Sequence, residues 1–290
     1  MNEDTFRIPV GDWSESFVDW LTDSFAGFFD VLRAVLESSY DAVNLVLSAP
    51  PFWLVGIVLA GLAFWAKGWK LAVGSLVGLA VIVGVDQWDN AMATLALVLV
   101  ASVIATVVGV PLGIWAARNS TVAAIVRPIL DFLQTMPAFV YLIPAVLIIG
   151  VGVEPGIVAT IVFAVAPGVR MTQLGIRQVD QEVVEAGAAF GAAPRRILRQ
   201  IQLPLAMPTI MAGLNQVIML SLSMVVIAGM VGAPGLGQDV VSALSSLNIG
   251  LGVEAGLSVV ILAMFLDRVT AALGNRSAVS RALQTRSADD

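Results

Sequence analysis

The chain has 290 residues, a net charge of −6, 58% hydrophobic residues and 12% charged residues. An ordinary soluble domain carries roughly 25% charged residues, and a mean hydropathy of +0.92 means more apolar mass than one soluble core can hold. With neither cysteine nor histidine, disulfides, thiolate nucleophiles, histidine triads and HExxH zinc sites are excluded. The two lysines, Lys67 and Lys70, lie outside any GxxxxGK[ST] pattern, so the chain has no Walker A phosphate cradle. The composition describes an integral membrane protein with no cofactor, metal site or catalysis of its own, and any energy from ATP must enter through another polypeptide.

The first 41 residues hold nine acids against Arg7 and Arg33, the reverse of the basic start of a secretory signal. Phe17, Trp20, Leu21, Phe25, Phe28, Phe29, Leu32, Val35 and Leu36 recur at helical spacing, with Asp19, Asp23, Asp30, Arg33 and Glu37 mostly between them. This pattern predicts an amphipathic helix that either lies at the outer membrane interface or packs on the bundle.

Seven apolar segments follow, at 50–66, 71–85, 91–117, 135–153, 156–169, 207–231 and 252–273. Such spans must be helical, because lipid offers no partner to bare backbone groups. With the N-terminus outside, thirteen of the fifteen basic residues fall on the inner side: Lys67, Lys70, Arg118, Arg127, Arg170, Arg177, Arg195, Arg196, Arg199, Arg268, Arg276, Arg281 and Arg286. Arg7 and Arg33 stay outside with Asp86, Asp89, Glu154, Asp239 and Glu254, as the positive-inside rule expects. The domain reading is an external segment at 1–49, a membrane domain at 50–273 and a cytoplasmic tail at 274–290. Trp53, Trp65, Trp69 and Trp88 fall near span ends, where aromatic anchors belong.

The inner segment 170–206 is too long for a simple turn. A first short helix over 181–190 should stop at Gly191, suited to the left-handed conformation after a helix. Pro194 fits the first turn of a second helix carrying Arg195, Arg196, Ile197, Leu198, Arg199 and Ile201, which Pro204 should close. The pattern is a cytoplasmic helix–turn–helix finger.

Glu185-Ala186-Gly187, Gly191 and Ile201-Gln202-Leu203-Pro204 resemble the EAA signature of bacterial ABC importer permeases, with Gly187 where the pattern has its second alanine. Gln134-Thr135-Met136-Pro137-Ala138-Phe139-Val140-Tyr141-Leu142-Ile143-Pro144 and Gly232-Ala233-Pro234-Gly235-Leu236-Gly237 resemble glycine betaine/proline (quaternary amine) uptake permeases. The resemblance covers roughly residues 50–275. It implies an all-α bundle whose partners are two cytoplasmic ATPase subunits, a second and identical permease copy, an external substrate-binding protein and the lipid bilayer, with no nucleic acid. It further implies ATPase coupling through Glu185, Ala186, Gly191, Arg195, Arg196, Ile197, Leu198, Arg199, Ile201, Leu203 and Pro204. Ile197, Leu198 and Ile201 would fill an apolar cleft and the arginines would meet acidic rims.

For the translocation pathway the candidates are Asn215, Gln216, Ser221, Ser223 and Met224 in the sixth span, with Phe139 and Tyr141 as aromatic faces for a quaternary ammonium. Each has a structural alternative, hydrogen bonding or packing between helices. Gly74 and Gly78 form a GxxxG pattern suited to close helix packing. The alternatives are an ABC permease for another small polar solute, such as methionine or phosphonate, and a self-contained secondary transporter. Against the last, the central parts of the spans lack Asp, Glu, Lys and Arg.

Overall fold

The computed structural model describes residues 9–275. The expectations for Arg7, Arg276, Arg281 and Arg286, and for nearly all of the tail, lie outside the described residues. Among the described residues the regular structure is helical, without strands.

Two helices precede the first predicted span, α1 (Val10–Ser24) and α2 (Ala26–Ser48). They correct the single amphipathic helix of the sequence reading. The chain leaves the helical well at Phe25, with φ −122° and ψ 24°. Trp13, Phe17 and Trp20 on α1 face outward, whereas α2 buries Leu36 and Tyr40 in the main core. The packing alternative holds for α2.

α3 (Phe52–Lys67), α4 (Trp69–Gly84) and α5 (Trp88–Arg118) cover the first three predicted segments. Trp53, Trp65 and Trp69 are exposed, while Trp88 meets Phe52 edge-on at 6.3 Å. Next comes α6 (Ser120–Thr135), where the sequence reading assigned no element. The Asn119 side chain caps it, accepting from the amides of Thr121 at 2.9 Å and Val122 at 3.2 Å.

α7 (Ala138–Ile149) occupies the fourth predicted span with only 12 residues, and it is bent 99° from α6. Proline explains the bend. Pro137 has no N–H to continue α6, and it drives Met136 to an extended ψ of 136°.

α8 (Val153–Arg177) runs on past residue 169, which shortens the predicted inner segment. The added turns tie their exposed charges to neighbouring helices: Arg170 pairs with Asp131 of α6 at 2.6 Å, and Arg177 donates to the Ala116 carbonyl of α5 at 3.0 Å. At the other end of α8, Glu154 is buried and lies 3.5 Å from Arg33 of α2, which ties the N-terminal segment to the bundle.

The remaining elements are α9 (Gln181–Ala189), α10 (Pro194–Ile197), a π-helical turn (Leu198–Gln202), α11 (Leu203–Ser223), α12 (Val225–Gly229), α13 (Leu236–Ser246) and α14 (Ile249–Asn275). Pro204 does not close the second finger helix as expected. Helix continues for 36 residues from Pro194 to Gly229, because the Leu203 amide reaches back to the Leu198 carbonyl across the π-turn. Widening the ladder by one residue accommodates the proline that follows. On length and apolarity four stretches qualify to cross a membrane, or six when each of two bent pairs counts as one span, with α4 a shorter apolar helix. The sequence pattern predicts seven.

α5, α8 and α11 form the centre. Small residues let them close: a Cβ on Gly113 of α5 would lie 2.6 Å from Thr172 Cβ and 2.7 Å from the Val169 carbonyl oxygen on α8. Gly109 lies one turn earlier, so this GxxxG pair sets the central interface. In the pattern noted from sequence, Gly78 packs against Ile261 while Gly74 faces open space.

The Gly232–Gly237 motif is likewise a backbone crossing. Gly229 of α12 meets the backbone of Gly237 and Gln238 on α13 directly. Leu236 is fully buried and its amide donates to Thr94 Oγ1 at 2.9 Å. Gly229→Ala should therefore force two backbones apart and destabilise the protein by about 1–3 kcal/mol. Gly61→Ala, made where no atom lies within 4 Å, should leave the thermal midpoint unchanged or slightly higher. Equal midpoints for both variants would mean that the α12–α13 crossing does not depend on contact at Gly229.

Candidate coupling finger and helix elbow

The finger is built from local signals. Asp180 caps α9 by accepting from the Glu182 amide at 2.9 Å. At its far end the Ala192 amide donates to Gly187 O at 3.2 Å and the Gly191 amide to Ala188 O at 2.9 Å. This is a Schellman closure, with Gly191 at φ 77° as expected. Pro194 then opens α10.

The side chains sort differently from expectation. Ile197 is buried, Leu198 and Leu203 pack into a cluster with Ile176, Val179, Ala206 and Ile210, and Ile201 folds over Gly187. A Cβ on Gly187 would lie 2.6 Å from Ile201 Cδ1, so the departure from the alanine pattern gives Ile201 its seat. These apolar residues hold the hairpin together, which corrects the expectation that Ile197, Leu198 and Ile201 turn outward to fill a cleft. The apolar group that the tip presents is Phe190, 92% exposed. Sequence reading missed it, although an aromatic residue just before a turning glycine on a polar helix was the available signal. Glu185, Ala186, Arg195, Arg196, Arg199 and Pro204 are exposed, with Arg196 donating to Gln200 at 3.1 Å.

The second feature is the elbow between α6 and α7. Tyr141 donates its hydroxyl proton to the Leu133 carbonyl, and Gln134 donates to the Phe163 carbonyl of α8 at 3.0 Å. Tyr141, Leu142, Ala159 and Met224 form one buried cluster, with Met136 and Phe163 at its edge. Met224 is itself the break between α11 and α12. Two interrupted helices thus meet against α8.

The other pathway candidates disperse. Asn215 donates to Asp267 at 2.9 Å and accepts from Thr270, joining α11 to α14. Ser221 is fully buried and bonds the Val217 carbonyl at 2.9 Å. Ser223 bonds the Met219 carbonyl at 3.0 Å, and it is exposed, as are Phe139 and Gln216. Arg127, Asp131, Arg170 and Arg177 line a concavity between α6 and α8 that sequence alone did not assemble.

Residues 109–279 match the family model described as binding-protein-dependent transport system inner membrane component. The chain is 50% identical to the glycine betaine transport system permease protein OpuAB of Bacillus subtilis, over 91% of this chain and 94% of that one. It is 46% identical to the glycine betaine/proline betaine transport system permease protein ProW of Escherichia coli, over 93% of this chain and 76% of that one. The fold resembles a chain of the MetNI methionine ABC transporter in inward-facing conformations, with a TM-score of 0.58, 24% identity, and coverage of 66% of this chain and 93% of that one.

The left-handed turn makes the finger testable by itself. Gly191→Val places a β-branched residue at φ 77°, a strain of about 1–2 kcal/mol that opens the hairpin roughly 5–30-fold more often. Trypsin should then cut at Arg195 and Arg196 faster by that factor. Phe190→Ala, which changes only an exposed side chain, should leave cleavage unchanged. Identical cleavage of Gly191→Val and the parent would show that the turn does not need glycine.

Proposed function

Because the chain belongs to the family of binding-protein-dependent transport system inner membrane components, and is a multi-pass transport component rather than an enzyme, we propose that it carries glycine betaine or a related quaternary amine across the inner membrane. Two relatives that match it across more than 90% of its length carry glycine betaine in their names. Having no phosphate cradle, it draws on separate ATPase subunits, and an external binding protein delivers the solute. Two copies of the chain form the pathway, with the N-terminus outside and the C-terminus inside. The membrane domain spans 50–273, flanked by the external segment 1–49 and the tail 274–290.

The observation that carries this reading is the helical stretch that runs from the finger into the bundle, Pro194 to the break at Met224. At 1.5 Å per residue, about 45 Å separates Pro194 from Met224. An ATPase that grips Phe190, Glu185, Ala186, Arg195, Arg196 and Arg199 moves a lever whose other end carries Met224. Gly191, Ile197, Leu198, Ile201, Leu203 and Pro204 keep that lever in one piece. Met224 shares a buried cluster with Tyr141, so displacement of the finger alters the packing at the elbow. Phe139, Gln216 and Ser223, exposed on the single chain, face the pathway between the two copies, while Asn215 and Ser221 hold its walls.

The test is accumulation of radiolabelled glycine betaine by cells lacking their own uptake, expressing this chain with its ATPase and binding-protein partners. Uptake should require the chain and be competed by carnitine. Arg195→Glu with Arg196→Glu should reach the membrane yet lower uptake some 30-fold or more, as reversal of interfacial charges does. Uptake insensitive to this reversal, or competed by methionine and not by carnitine, would contradict the reading.

A further inference from the structure

In an α-helix each carbonyl accepts from the amide four residues on. The partner due to Leu133 is Pro137 and the partner due to Phe163 is Pro167, and neither proline has an N–H. The two carbonyls so deprived are the ones that Tyr141 and Gln134 reach. Both answering side chains belong to the elbow, one on each arm: Tyr141 spans the break at Pro137, and Gln134 reaches across to α8, which runs on through Pro167.

We propose that Gln134 and Tyr141 are positioning residues that fix the angle of the α6–α7 elbow by supplying the donors that Pro137 and Pro167 withhold. Tyr141 ties α7 back to the last turn of α6 across the 99° bend. Gln134 fastens the end of α6 to α8 at the turn that Pro167 interrupts. Together they set where Tyr141 sits in the buried cluster it shares with Met224. The Tyr141 hydroxyl has one proton and gives it to the backbone, so its role toward a solute is to hold the elbow rather than to donate to the solute. The proposal rests on the transport reading above for its consequence, but its geometry is independent of which solute is carried.

The cysteine-free chain permits a direct test. Spin labels at Ile125→Cys and Leu147→Cys, exposed positions on the two arms, report the elbow in the complete reconstituted transporter, and uptake is measured on the same preparation. Tyr141→Phe and Gln134→Leu should each broaden the distance distribution and lower uptake roughly tenfold or more, since each leaves a carbonyl without its donor. Adding Pro137→Ala to Tyr141→Phe gives Leu133 a backbone donor again. The distribution should then narrow around a longer distance as α6 runs straight on, with uptake still low.

Loss of uptake with an unchanged distance, or a changed distance with normal uptake, would overturn the proposal, as would a parent-like result for both single variants. A labelled parent that takes up no glycine betaine refutes the transport reading, while its distances still decide whether the staples hold the bend.

Discussion

At the depth of the lipid tails a carbonyl oxygen has no water to accept from, so each must find a donor within the protein. Proline withdraws such donors, and in this chain Pro111, Pro128, Pro144, Pro167 and Pro208 all stand inside helices. An unanswered buried acceptor costs about 1–3 kcal/mol, a large share of the margin by which a domain stays folded. Each interruption therefore needs a remedy from its surroundings. At Pro204 the ladder itself changes, through the π-turn. At Pro137 and Pro167 the remedy is a side chain, and the same side chains define the elbow.

The consequence is a bundle with a rigid half and an articulated half. α5, α8 and α11 are welded by small residues, with Gly113 against Thr172 and Gly175 close to Ala206 and Thr209. The finger is continuous with this half, because α10, the π-turn and α11 form one helical stretch. α6 and α7 form the articulated half, held by hydrogen bonds from Tyr141 and Gln134 and by the Arg170–Asp131 pair. Rigid elements transmit displacement and hinges absorb it. Met224, buried where α11 gives way to α12 and clustered with Tyr141, is where the two halves meet.

The finger was legible in sequence because its determinants are local. A glycine after a short helix and a proline three residues later specify the turn without reference to the rest of the fold. α6 was not legible from hydropathy, since Arg127 and Asp131 interrupt its run of apolar residues along the chain, although Asn119 offered a capping signal. The inner end of α8 was misplaced for a related reason. Arg170 reads as a membrane boundary, but pairing with Asp131 on the neighbouring α6 lets it lie within the helix. The orientation of Ile197 and Ile201 depends on long-range packing, and the remedies for Pro137 and Pro167 depend on which helices touch, so spacing along the chain could reveal neither.

The central claim is that motion of the finger reaches the elbow through one helix. Its most direct test is cross-linking of Leu142→Cys with Met224→Cys by a short bifunctional thiol reagent in the complete transporter, at rest and with the ATPase subunits trapped in their closed state. The account predicts that the cross-link forms in one state and is strongly reduced in the other, that it blocks uptake, and that cleaving the reagent restores it. Equal cross-linking in both states with uptake unaffected would contradict the account.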